Sequence, residues 1–146
     1  MSAMSDYLEN KLIDQIFRGQ VFAFPATLYV ALYTAPPSDA GGGTEVTGGG
    51  YARVAVTSAL SSWAGTQAAA STAASSGTSG TTTNNAAIAF PAPTANWGVC
   101  SHFAIYDAAT GGNELFWGAL TIAKTVNNGD SAPSFVAAAL SFQIDN

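Results

Sequence analysis

Hydrophobic positions follow a helical period at the start of this chain and a strand period after it. Over residues 5–17, Leu8, Leu12, Ile13, Ile16 and Phe17 recur at helical spacing and share one stripe. Ser5 supplies an N-cap oxygen, and Asp6 and Glu9 lie in the first turns, where the positive end of the helix dipole favours acids. Arg18 puts a cation in the last turn, and Gly19 follows with a residue that accepts positive φ. The pattern predicts a short amphipathic helix whose stripe docks on its own sheet or on a neighbour.

After Pro25 the period becomes two. Leu28, Val30 and Leu32 alternate with Tyr29, Ala31 and Tyr33 until Ala35-Pro36-Pro37 ends the strand. Residues 51–58 resume the alternation, with Val54 and Val56 against Tyr51, Arg53 and Ala55. Residues 99–107 set Val99, Ser101, Phe103 and Ile105 against Cys100, His102, Ala104 and Tyr106. Residues 114–122 set Leu115, Trp117 and Ala119 against Phe116, Gly118 and Leu120. Ala108-Ala109-Thr110-Gly111-Gly112-Asn113 between these runs predicts an antiparallel hairpin. After a turn at Asn127-Asn128-Gly129-Asp130, residues 135–144 read as a last strand with Val136, Ala138, Leu140, Phe142 and Ile144 on its core face.

Two segments break the alternation. Residues 38–50 carry the triplets Gly41-Gly42-Gly43 and Gly48-Gly49-Gly50 and no pattern of large apolar residues, which predicts a mobile surface loop. Residues 66–87 hold only small and polar side chains with no charge, so they cannot build core themselves and read as a long loop with room for two short strands. The expected fold is mainly β: an antiparallel β-sandwich or jelly-roll with one short N-terminal helix. It fills a single domain, 1–146, in which 1–20 form the helix and arm.

Composition sharpens this picture. Only 9% of the 146 residues are charged, against roughly 25% in an average soluble protein, while 48% are apolar and the net charge is −5. The surface is therefore either a small-polar coat or is buried against other subunits. Nucleic-acid binding is disfavoured and no such partner is expected, because the cations Lys11, Arg18, Arg53 and Lys124 are few and scattered along the chain. Cys100 is the single cysteine and has no disulfide partner in its own chain. Residues 1–12 lack the basic start and apolar run of a signal peptide, and no stretch reaches the ~20 apolar residues of a membrane span.

Candidate chemistry is sparse. His102 is the only histidine, and on a regular strand it shares a face with Cys100, ~7 Å away, without the sharp turn that exposes a nucleophile. One Cys and one His are too few for a zinc site; Asn127, Asn128 and Asp130 read as a turn rather than calcium ligands. The glycine triplets lack the Lys and Ser/Thr of a phosphate loop. Asp107 and Glu114 flank one hairpin turn and are a candidate pair for glycosidase chemistry; solvated turn residues explain them as well. The expectation is no enzyme, no catalytic residues, no cofactor and no metal.

Several blocks carry a family resemblance: Tyr7-Leu8-Glu9-Asn10-Lys11-Leu12, residues 26–34, Gly42-Gly43-Thr44-Glu45-Val46 leading to Gly49-Gly50-Tyr51-Ala52-Arg53, Trp97-Gly98, residues 102–107, and Leu115-Phe116-Trp117-Gly118-Ala119-Leu120. Together they resemble small structural proteins of tailed-bacteriophage virions, often labelled tail fibre, with fold-level similarity to jelly-roll capsid cement proteins. The resemblance implies a non-enzymatic virion protein, assembled in the host cytoplasm and homo-oligomeric. Its first reading is a capsid decoration (cement) protein bridging major capsid subunits or other virion proteins. The alternative is a tail-fibre or tail-tip module that contacts host glycan. Leu8, Leu12, Ile16, Phe17, Tyr29, Tyr33, Tyr51, Trp97 and Trp117 are the candidate interface residues. Removal of residues 1–19 is expected to abolish attachment while leaving a folded sandwich.

Overall fold

The computed structural model describes residues 2–144. In chain order it contains β1 (Ser2–Met4), α1 (Asp6–Phe17), β2 (Thr27–Ala35), β3 (Thr44–Glu45), β4 (Val54–Thr57), β5 (Thr81–Thr83), β6 (Ile88–Ala89), β7 (Gly98–Tyr106), β8 (Glu114–Val126), β9 (Ser134–Phe135) and β10 (Ser141–Gln143). Six strands form one antiparallel sheet in the order β1-β8-β7-β2-β3, with β4 also paired to β2. Two ribbons, β5 with β10 and β6 with β9, supply the second layer. The protein is mainly β and antiparallel with one helix, as its alternation predicts, and its layers are those of a β-sandwich.

Register explains the core. Val30 pairs with Ile105 and Leu32 with Phe103, so these large side chains line one face of the sheet. Against them pack Ile88, Phe90, Leu140 and Phe142 from the ribbon side, and Phe142 meets Phe103 and Phe116 with ring centroids 5.6 Å apart. The opposite face carries Ala31, Tyr33, Ala104 and Tyr106, with Tyr29 and Trp117 beside them.

Ser5 caps α1 by accepting the Leu8 N–H at 3.3 Å, and its own hydroxyl donates to the Glu114 carbonyl. Leu8 is buried in the core and Leu12 packs against it, whereas Ile13, Ile16 and Phe17 remain exposed. The stripe is thus divided along its length: its first half docks on the protein's own core, while Ile13, Ile16 and Phe17 are left exposed among the described residues. Removing residues 1–19 would strip β1 from β8 and Leu8 from the core, so the expected folded remainder does not follow from this packing.

Four segments depart from the sequence pattern. The β7–β8 register jumps between Cys100, opposite Lys124, and His102, opposite Ala119. This bulge turns Cys100 into the core while His102 stays on the other face, so the two do not share a face and Val99 is left exposed. The last strand is broken: Ala138 takes φ 63°, only Leu140 and Phe142 are buried, and Val136 and Ile144 point outward. The 66–87 segment contributes β5 and the fully buried Asn84. The 38–50 loop supplies β3 and the buried Val46, and it packs closely on the end of β2: a Cβ on Gly43 would lie 2.7 Å from the Pro37 nitrogen and 2.8 Å from the Ala35 carbonyl oxygen.

Candidate functional site

Three features stand apart from ordinary core. On the second face of the sheet, Arg53 is held in a fork: its Nε donates to Glu45 Oε1 and its Nη2 to Glu45 Oε2, both at 2.8 Å. Its Nη1 donates to the carbonyls of Ala108 and Gly111 in the β7–β8 turn. The Tyr33 and Tyr106 hydroxyls bond each other, and Tyr106 donates to Glu114 Oε2 at 3.2 Å. Burial holds both phenols above their ordinary range and pushes the Glu114 carboxyl up to about 7. Glu114 Oε1 is buried and has no hydrogen-bond partner among the described residues. Every nitrogen of the guanidinium is occupied by this protein's own acceptors, so the cluster ties β3, the approach to β4 and the hairpin turn together and offers no open cation to a ligand.

Asp107 and Glu114 divide the carboxylate pair between different tasks. Asp107 accepts from the Asn113 backbone N–H and side-chain amide at 2.7 Å, whereas Glu114 pairs with Tyr106 one rung further along. The two acids thus have different partners, Asp107 within the turn and Glu114 on the Tyr106 hydroxyl. His102 Nδ1 lies 2.9 Å from Ser101 Oγ, and burial pushes the Cys100 thiol up. Asn127 and Asp130 close their turn by a backbone N–H to Asp130 Oδ2 bond. Among the described residues no group of three or more His, Cys, Asp or Glu side chains is placed to hold a metal, and no helix is long and apolar enough to cross a membrane.

The second feature is an open cleft of about 590 Å3 at one end of the sandwich, lined by Leu28, Leu60, Trp63, Ile105, Phe116 and Phe142 among others. None of its lining residues is charged. The third is the free end of α1 with the strap that returns from it. Gln20 N–H bonds the Asp14 carbonyl at 3.1 Å, and Phe22 N–H bonds Gln15 Oε1 at 2.7 Å, so the strap is fastened to the helix. Phe22 packs edge-on to Tyr7. Ile13, Ile16, Phe17, Val21 and Phe24 are left outside, with Phe17 79% and Val21 88% exposed.

A family model described as Podophage GP4 fiber I protein gp80 matches residues 3–143. The chain belongs to this family. This member of the fiber I family is a structural protein of a tailed-phage virion, and other virion proteins are its associates. No curated protein matches the chain.

For a virion subunit of this family, the side chains that can meet a neighbour are those the fold leaves outside. Ile16 and Phe17 are such residues. Leu8, Tyr33 and Trp97 are buried within the protein, the Trp97 indole N–H donating to the Gly49 carbonyl at 2.9 Å. Leu12, Tyr51, Tyr29 and Trp117 are half-buried: Leu12 and Tyr51 pack on the main core, Tyr29 and Trp117 on the second face. Trp117 is tied to Asp39 by its indole N–H, and the Tyr51 hydroxyl accepts the Leu32 N–H and donates to Glu45. The exposed Val21 and Phe24 lie past the helical period, and their only sequence signal is two large apolar residues in a segment with no alternation to bury them. The Arg53 cluster had a plainer signal, an arginine within a strand-period segment of a chain that has only four Lys and Arg.

Proposed function

We propose that this chain is a non-catalytic structural subunit of the phage tail fibre, working in contact with other subunits rather than alone. The observation that carries this reading is the exposed apolar end of α1 and its strap, on a chain with only 9% charged residues. A free monomer pays for such a surface in solubility, and an assembled subunit buries it. The fibre position is supported by the family's description as a fiber I protein. The non-catalytic reading is supported by the saturated Arg53 cluster and by a cleft whose lining has no titratable acid, base or nucleophilic histidine or cysteine.

A capsid decoration protein is the second reading, supported by a compact two-layer fold that leaves large apolar side chains outside, a surface suited to clamping on a lattice. Imaging of purified particles carrying a gold-labelled antibody against this chain separates the two. Label in small numbers at the tail is the expected result. Label over the shell in hundreds of copies favours decoration, and particles without label overturn both.

A further inference from the structure

The sandwich is open along the outer edge of β4. Ser58 N–H bonds the Ala26 carbonyl at 2.9 Å, and in the same register Val56 pairs with Leu28 and Val54 with Val30. Bonding residues alternate along an antiparallel ladder, so the N–H and C=O groups of Ala55 and Thr57 point away from β2. Among the described residues no backbone group bonds them. Facing this edge, Phe90 N–H bonds the Pro133 carbonyl at 2.8 Å, and the same alternation turns the backbone groups of Ala89 away from β9. A groove of about 400 Å3 lies between, lined by residues 54–57, 61–62 and 86–89, none of them charged. Free strand edges are ordinarily guarded by a lysine, a proline or a bulge. Val54-Ala55-Val56-Thr57 has neither residue, its register with β2 is unbroken, and the neighbouring Arg53 is held by Glu45 and the β7–β8 turn.

We propose that this groove receives an extended segment of a different virion protein, which adds to β4 as a further strand and bonds the free backbone groups of Ala55 and Thr57. Donors and acceptors repeating every second residue along an open edge are matched by the backbone of another strand, which makes the ligand a polypeptide. Val54 and Val56 pack on the core while Ala55 and Thr57 are exposed, so the added strand carries apolar residues beside the valines and small or uncharged polar residues between them. A second copy does not fit edge to edge, because its own β4 has the 86–89 wall alongside. The inference rests on the reading of this chain as an assembled subunit, and the contact is separate from the free end of α1.

Photocrosslinking in purified particles tests it. p-Benzoylphenylalanine in place of Ser61, an exposed residue at the rim of the groove, should on irradiation join this chain to a different virion protein within one short segment, mapped by mass spectrometry. Ala55→Pro removes the outward N–H, keeps the ladder to β2 and should cut the adduct by roughly tenfold. Ala55→Val retains the N–H and should leave the yield unchanged. Ala87→Arg obstructs the groove from the far wall without altering β4 and should also cut the adduct, so the test stands even if proline disturbs the fold. No adduct, an adduct only between copies of this chain, a yield indifferent to Ala55→Pro and Ala87→Arg, or an equal loss in Ala55→Val overturns the inference. Gold label on particles without an adduct removes this contact alone, whereas particles without label remove the assembled subunit itself.

Discussion

The guanidinium carbon of Arg53 lies 3.5 Å from the centroid of the Tyr106 ring. The plane of the cation thus covers the ring face while its edge forks onto Glu45 and the turn carbonyls. Only a planar, delocalised cation can do both at once. With 7% of its side chain exposed, Arg53 is nearly sealed from water, and the cluster is a joint between strands whose members depend on one another.

Replacing Arg53 by Lys should therefore destabilise the protein despite the retained charge. An ammonium cannot bond both Glu45 oxygens and two carbonyls from one position, and the loss should be roughly 2–4 kcal/mol, near that of breaking a buried pair. Urea unfolding of Arg53→Lys and Arg53→Met checks this. A lysine variant as stable as the wild type would refute the joint.

Glu114 makes stability depend on pH in the direction opposite to most carboxylates. Burial raises its folded pKa to about 7 from 4.5, so between these values the folded state holds a proton that the unfolded chain has released. The stability linked to this group is fully present below about pH 4.5 and is lost as the pH rises through 7, by on the order of 3 kcal/mol. Glu114→Gln should flatten that part of the profile. Unfolding free energies at pH 5 and pH 8 for both proteins decide the matter, and equal slopes would remove Glu114 from the account.

Asn84 anchors the end of the chain. Its Nδ2 donates to the Ala86 and Val136 carbonyls at 2.8 Å, and its Oδ1 accepts the Leu140 N–H at 2.9 Å. Asn84→Ala would leave the buried Leu140 N–H and the half-buried Ala86 and Val136 carbonyls without this partner. The expected loss is roughly 2–4 kcal/mol, read as a melting temperature lower by about 10 °C.

Ala138 is strained where Asn84 holds it, at φ 63°. Left-handed backbone costs an L-residue about 1–2 kcal/mol, and glycine escapes this at the expense of some chain entropy. Ala138→Gly should raise stability by roughly 0.5 kcal/mol. A melting temperature that falls instead would show that the alanine methyl contributes more than its strain.

Much of the architecture was legible along the chain because it is local. The capped helix, the β2 alternation and the β7–β8 hairpin follow from side-chain period and turn residues, both read within a dozen positions. What escaped reading depends on distant partners. Asn84 looks like filler among small polar residues until the Leu140 backbone arrives against it, and Val46 sits between glycines with no period to announce that it is core. The 135–144 run satisfies a period of two, yet the positive φ at Ala138 splits it.

The candidate surface divides in the same way. Residues 8–17 specify an apolar helical stripe by themselves, since spacing alone sets which side chains share a face. Which part of that stripe is core and which is left for a neighbour was decided only in three dimensions. β1 pairs beside α1 and the core reaches Leu8 and Leu12 but no further, so Ile16 and Phe17 stay in water. Burial is a property of what packs against a residue, and that is not written at the residue's own position in the chain.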